Sequence, residues 1–396
     1  MFPKLRFKEF DGDLTESKLV ELTSWASGGT PAKDVPEYWG DDIPLISGAS
    51  MHTNQLYESD VKITKLGLQK GSKLAPKDSI LILVRGSMLF NKIPMGITLG
   101  DVAFNQDVKC IRPKQQLAPL FLFQWLHAKE NTIQNKVTAT GIGAGKLDTA
   151  DLQNLKLYKP SLEEQTKIAT FLSAVDEKIS QLTQKHQLLR EYKQGMMQKL
   201  FSQQVRFKAD DKSEFEEWEE KELKDIAEIN PKSKKLPESF IYIDLESVEK
   251  GQLLLQKNIE LQDAPSRAQR LLAKGDVLFQ MVRPYQQNNY YFNLSGEYVA
   301  STGYAQIRTK LDSKFIYYAL HEKTFLDEVM NRCTGTSYPA INSSDLSSIE
   351  ILIPCLEEQT KIANFLSSID QKIEVVAQQI EQAKQWKKGL LQQMFI

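Results

Sequence analysis

PSLEEQTKIATFLSAVDEKISQLTQKHQLLREYKQGMMQKLF (160–201) recurs as PCLEEQTKIANFLSSIDQKIEVVAQQIEQAKQWKKGLLQQMF (354–395), at a constant offset of 194 residues. Pro160, Leu162 and the run Glu163 to Ala169 return as Pro354, Leu356 and Glu357 to Ala363. Phe171, Asp176, Lys178, Ile179, Lys193, Gly195 and Phe201 return as Phe365, Asp370, Lys372, Ile373, Lys387, Gly389 and Phe395. The period is too long for a solenoid unit, so a whole domain and its tail are duplicated.

Each copy reads as one long helix with an apolar seam. Ile168, Leu172, Val175, Ile179 and Leu182 in the first copy, and Ile362, Leu366, Ile369, Ile373 and Val376 in the second, alternate at four- and three-residue spacing, the stripe of a left-handed coiled coil. Two such helices bury their stripes most cheaply on each other. Pro160 and Pro354 mark the helix starts, and Ser161 with Glu164 has the spacing of a capping box. Lys193 and Lys387 interrupt the two seams at equivalent places, where a polar residue fixes register or lies at an exposed end. Glu163, Glu164, Glu357 and Glu358 suit helix N-termini or the receipt of a basic partner.

At 396 residues the chain has room for two or three full cores, and its formal charge of -1 is not that of a sequence-independent polyanion binder. Any nucleic-acid contact therefore rests on local patches or on a basic partner. Three cysteines are too few and too scattered for a disulfide framework or a zinc site, and no apolar run has the length of a membrane span. The opening MFPKLRFKEF lacks an apolar signal region, so a cytoplasmic location is expected.

The order read from the chain is a first domain (1–159), a first spacer helix (160–204), a second domain (205–353) and a second spacer helix (354–396). Val205-Arg206-Phe207 repeats Leu5-Arg6-Phe7, marking the restart, and the acidic stretch 210–228 reads as a solvated turn or helix. LAPKDSILILVRGS (74–87) aligns with LAKGDVLFQMVRPY (272–285), placing Asp78 with Asp276 and Arg85 with Arg283. Short β-branched runs (SILILV, DVLFQMV, FIYIDL, IEILI) alternate with helical spacing in FLFQWLHAKEN and FIYYALHEKTFLDEVM, so each domain is α+β.

Two variable domains, each followed by a PxLEEQxKIAxFL helix, resemble the specificity subunit of type I restriction-modification systems. The resemblance covers the whole chain and is carried by the paired LEEQTKIA motifs, the opening Lys-Leu-Arg-Phe and the Gly-Gly-Thr-Pro…Tyr-Trp…Ile-Pro loop at 28–44. It implies two target recognition domains in tandem, each reading one half of a split, asymmetric DNA site. It also implies long helices paired as an antiparallel spacer that docks methyltransferase subunits, with restriction subunits joining later. On that basis the chain is a non-catalytic subunit without its own cofactor, and S-adenosylmethionine, ATP and Mg belong to partner subunits. About 34 helical residues at ~1.5 Å rise span roughly 50 Å, enough to separate two readers by a helical turn of duplex or more. The competing reading is a coiled-coil interaction scaffold whose globular domains bind a ligand other than DNA.

Base reading is expected from residues that differ between the copies. In the first domain these are Lys33, Tyr38, Trp39, Lys62, Lys65, Lys92 and Lys146; in the second, Lys232, Lys234, Lys235, Arg267, Arg270, Tyr285, Gln286, Asn288, Asn289 and Tyr290. Arg85 and Arg283, shared in the alignment, suit a phosphate or guanine contact, or a framework salt bridge to Asp78 or Asp276. Gly-Ile-Gly-Ala-Gly-Lys (141–146) fails as a phosphate loop because Thr140 and Leu147 stand where Gly and Ser or Thr are needed. The four histidines show no metal spacing, and no methyltransferase or nuclease motif is present.

Overall fold

The structure, a computed structural model, describes residues 3–141, 143–233 and 235–395. The chain forms two compact units, Met1–Thr183 with Gln378–Ile396, and Gln184–Ala377. Both are α+β, as expected.

In the first unit, a five-stranded sheet runs in the order Thr23–Ser27, Val108–Pro113, Ile80–Leu83, Met95–Thr98, Gln55–Leu56. A four-stranded sheet has the order Lys62–Ile63, Trp39–Ile46, Val102–Phe104, Lys73–Ala75. The second unit repeats this plan, less the edge strand Gln55–Leu56, with Ala227–Ile229, Tyr304–Thr309, Val277–Gln280, Tyr290–Tyr291, and with Lys257–Glu260, Ser239–Ile243, Tyr298–Ser301, Ala268–Leu271. In each unit one pair inside the second sheet is parallel: Trp39–Ile46 with Val102–Phe104, and Ser239–Ile243 with Tyr298–Ser301. The apolar run Ile80–Leu83 is buried at every position, which explains its lack of alternation. The two expected domain helices each break in two, into Pro119–Ala128 and Glu130–Gln134, and into Ser313–Ala319 and Lys323–Asn331.

The acidic stretch departs from expectation in part: it holds a turn and the short helix Leu223–Ile226, but also a strand. Glu219–Glu222 is a strand, paired antiparallel with Glu350–Ile353 just ahead of the second long helix. Thr15–Lys18 pairs with Lys156–Lys159 in the same way in the first unit. Charge patterning did not reveal this strand, because its partner supplies backbone hydrogen bonds while its side chains stay mostly in solvent.

The long helices span Leu162–Phe201 and Leu356–Met394. Within the first unit, Ile168, Leu172 and Val175 share one core with Leu390, Met394 and Phe395, and the Phe121 and Phe395 rings lie 5.4 Å apart. Within the second, Ile362, Leu366 and Ile369 share a core with Leu200, and Phe201 stands 5.6 Å from Phe315. Leu182 and Val376 are buried, while Ile179 and Ile373 are partly so and pack on these cores. The early part of each helix thus meets the late part of the other, an antiparallel arrangement, and each fully buried leucine contributes roughly 2–3 kcal/mol.

The LEEQ repeat has a physical cause. Glu164 and Glu358 are 2% and 0% exposed. Arg6 grips Glu164 with two hydrogen bonds of 2.7 Å, and Arg206 grips Glu358 at 3.2 and 2.8 Å while Trp218 Nε1 donates to the same carboxylate at 3.0 Å. Ser161 Oγ accepts from Glu164 N–H at 3.3 Å, so the cap forms, but the Glu164 carboxylate turns to arginine instead of closing the box. Gln165 and Gln359 hold the domain helices: Ala118 N–H and Asp312 N–H donate to their side-chain oxygens at 2.9 and 3.1 Å. The seam lysines find carboxylates, Lys387 on Asp176 and Lys193 on Asp370, each at 2.6 Å.

Candidate nucleic-acid interface

In the first unit the sequence-derived residues fall into two groups. Lys33 and Trp39 line an open cleft of about 560 Å³ together with Thr30, Ser47, Asn105 and Gln106. Trp39 Nε1 donates to Ala32 O at 3.0 Å, and Thr30 Oγ donates to Gln106 at 2.7 Å, so the 28–39 loop is pinned across the cleft. Gly28 is required there, since a Cβ would meet Phe104 O at 2.1 Å. Tyr38 O accepts from Thr64 N–H at 3.0 Å, and Thr64 caps the helix that begins at Lys65. Lys62 pairs with Pro44 across the strands, so Tyr38, Lys62 and Lys65 sit beside the same loop. Glu37, Asp41 and Asp42 share that segment, and its positive charge is confined to the lysine tips.

The second group lies on a three-stranded sheet of Thr138–Ala139, Gly145–Lys146 and Arg85–Gly86. Arg85 stands directly opposite Lys146, both exposed, so two cations share one face. Lys92, also exposed, follows the short helix Ser87–Phe90. The glycine-rich stretch, of which Ile142 lies outside the described residues, falls at the turn of this hairpin: Thr140 N–H donates to Ala144 O at 2.8 Å and Gly143 N–H to Thr140 O at 3.0 Å. It opens no helix, so it is no phosphate loop.

In the second unit, Ser233 Oγ donates to Gln269 O at 3.0 Å and accepts from Leu271 N–H at 3.1 Å, stitching Ser233 to the strand Ala268–Leu271. This sets Ser233, between Lys232 and the segment of Lys235, beside the strand that carries Arg270 and follows Arg267; Lys234 lies outside the described residues. Burial lowers the Arg270 pKa, and its Nε is enclosed without a hydrogen-bond partner among the described residues. Such a donor costs about 1–3 kcal/mol until something accepts from it.

Two of the proposed readers are interior. Asn289 is 1% exposed and its side-chain oxygen accepts from Gln280 N–H at 2.8 Å; Tyr290 packs in a core with Phe292 and Tyr298. Both serve the fold, Asn289 by its bond to the Gln280 backbone and Tyr290 by its place in the core. Tyr285 and Gln286 are exposed, Asn288 is half-buried, and the amide oxygens of Gln286 and Asn288 already accept from Gln280 and from Lys250 N–H.

The alignment of Arg85 with Arg283 is also corrected. Ile80 pairs with Ile111, and Val277 with Ile307. Val84 O and Met281 O receive the N–H groups of Leu147 and Ile341. Arg85 therefore corresponds to Val282, and Arg283 to Gly86, one position later. Their backbones differ accordingly: Arg283 has φ 55°, where Gly86 has φ 146°. Neither arginine forms the salt bridge considered from sequence. Asp276 is bound by Arg308 at 2.7 and 2.8 Å, and Asp78 is exposed in a turn.

Sequence reasoning missed Tyr338, whose exposed ring lies 4.2 Å from the Arg283 guanidinium carbon. An aromatic inside Thr-Gly-Thr-Ser-Tyr-Pro, the counterpart of the first hairpin turn, was the available signal. His321 is structural, since its Nδ1 faces Tyr317 O at 2.7 Å and burial lowers its pKa to about 4. Among the described residues no group of side chains is arranged to hold a metal ion, and no helix is long and apolar enough to cross a membrane.

The family model for the type I restriction modification DNA specificity domain matches residues 12–190 and 215–385, most of both units. The chain belongs to the type I restriction-modification DNA specificity family. It is 27% identical over 409 residues to the type I restriction enzyme MjaVIII specificity subunit of Methanocaldococcus jannaschii, covering 97% of this chain and 94% of that one. It is 29% identical over 182 residues to the EcoR124I/EcoR124II specificity subunit of Escherichia coli, covering 46% and 45%. In fold it is similar to a type I restriction-modification system S subunit from M. genitalium, with TM-score 0.63, 17% identity and coverage of 100% and 99%. A second solved structure similar in fold, from work on complex assembly and conformational transition of the type I R-M system, has TM-score 0.56 and 17% identity over 96% and 97%.

Proposed function

We propose that this specificity subunit reads a split, asymmetric duplex site, each unit recognising one half, and docks methyltransferase and restriction subunits that carry out the chemistry. One observation carries the reading: the two units share the order of their central strands, with the pair Ile80 and Ile111 matched by Val277 and Ile307, while the cations and aromatics on their loops differ. A common frame with divergent loops suits two readers of different sequence. The near-neutral chain leaves much of the phosphate attraction to partners. S-adenosylmethionine, ATP and Mg act on those subunits, and the complex works in the cytoplasm.

The test is the modified-base map of a methylase-free host expressing the chain with its cognate methyltransferase subunit. A gapped, asymmetric motif bearing N6-methyladenine is expected. Methylation at a continuous palindrome, or equal methylation without this chain, overturns the reading.

A further inference from the structure

In the second unit, Val282 bridges Ala340, Thr334 bridges Ala340, and Arg283 N–H donates to Pro339 O at 2.7 Å. These contacts hold the 334–340 turn against Arg283 as the first unit's hairpin is held against Arg85 and Gly86. Arginine at φ 55° occupies a region that side chains rarely adopt, and the position is one the first unit gives to glycine. The guanidinium carbon lies 4.2 Å from the Tyr338 ring centroid, and Tyr338 is itself 65% exposed. Arg283 Nε is enclosed and unpartnered, and no carboxylate pairs with the side chain among the described residues. Tyr285, two residues on, is 50% exposed.

A guanidinium held over a ring is limited in orientation, and parallel stacking, the arrangement arginine favours on aromatic faces, leaves its terminal donors pointing edgewise. Bidentate contact with the O6 and N7 acceptors of guanine requires such an edge, fixed in orientation. We propose that Arg283, oriented by Tyr338, reads a guanine in the half-site of the second unit, and that Tyr338 is a specificity determinant acting through it. This rests on the functional reading above. The first unit has Arg85 facing Lys146 on its counterpart hairpin, so the same structural device would present different chemistry to the other half-site.

The experiment uses the full chain in complex with its methyltransferase subunits and a randomised duplex library, selected and sequenced for wild type, Arg283→Lys, Tyr338→Ala and Tyr338→Phe. Arg283→Lys keeps the charge but loses the fork, and preference at one G·C pair is expected to fall roughly 10- to 100-fold. Tyr338→Ala relaxes the same position, Tyr338→Phe retains it, and the other half-site is unchanged in all three. Unaltered preferences overturn the assignment, as does a uniform loss of affinity with preferences intact, which marks a phosphate contact. If Tyr338→Ala erases both half-sites through misfolding, Arg283→Lys decides. A wild-type complex that enriches no sequence overturns the functional reading itself.

Discussion

Lys387 Nζ lies 2.6 Å from Asp176 Oδ1, and Asp176 Oδ2 accepts from Gln124 Nε2 at 2.8 Å. One carboxylate thus fastens the late part of one helix, the early part of the other and the domain helix beside them. In the second unit Asp370 serves Lys193 and Tyr318, both at 2.6 Å.

Burial sets the strength of these latches. The side chains of Lys387 and Asp176 are 12% and 31% exposed, those of Lys193 and Asp370 23% and 39%. Double-mutant cycles to alanine, read by denaturant unfolding, are expected to give about 1–2 kcal/mol of coupling for the first pair and about 1 kcal/mol or less for the second. The reverse order would show that burial does not govern the pairs.

The Arg6–Glu164 clamp is more enclosed, with side-chain exposures of 13% and 3%. Arg6→Ala strands a buried carboxylate and is expected to cost about 3–5 kcal/mol, whereas Arg6→Met with Glu164→Leu removes both charges and costs much less. Equal losses for the single and double variants would refute this account.

His321 links stability to acid. Its folded pKa of about 4 lies below the ordinary 6.5, so the unfolded chain takes up this proton first as pH falls. Its contribution is full above about pH 6.5 and is lost progressively toward pH 4. Between pH 7 and 5 the loss is about 2 kcal/mol. His321→Gln is expected to flatten that part of the profile, measured by thermal unfolding; an unchanged slope would mean that other groups dominate it.

Exchanging residues about 21–159 for a homologous domain is expected to change one half-site only. The methylome of the chimera with its methyltransferase subunit checks this, and a simultaneous change in both half-sites would argue against independent readers.

Much of the frame was legible because it is local. Seam spacing exposed both long helices, and repeated Arg-Phe-Lys and LEEQ marked the joints, although only the fold shows that Arg6 and Glu164 meet across 158 residues. The interface was less legible. A one-residue slip between LAPKDS and LAKGD misaligned Arg85 with Arg283, and strand pairing alone locates such a slip. Composition likewise could not tell the inward residues of Gln-Asn-Asn-Tyr-Tyr, Asn289 and Tyr290, from the outward Tyr285 and Gln286.

The composition of the first unit also has a consequence for synthesis on the ribosome. Its core includes Leu390, Met394 and Phe395, which emerge after the 194 residues of the intervening unit, Gln184–Ala377, have been made. At ~5–20 residues per second, that leaves the first-made domain waiting roughly 10–40 s with the Phe121 side of its core uncovered. The unit begun first is therefore the one finished last, and a nascent chain stalled short of residue 390 would leave the earlier unit incomplete.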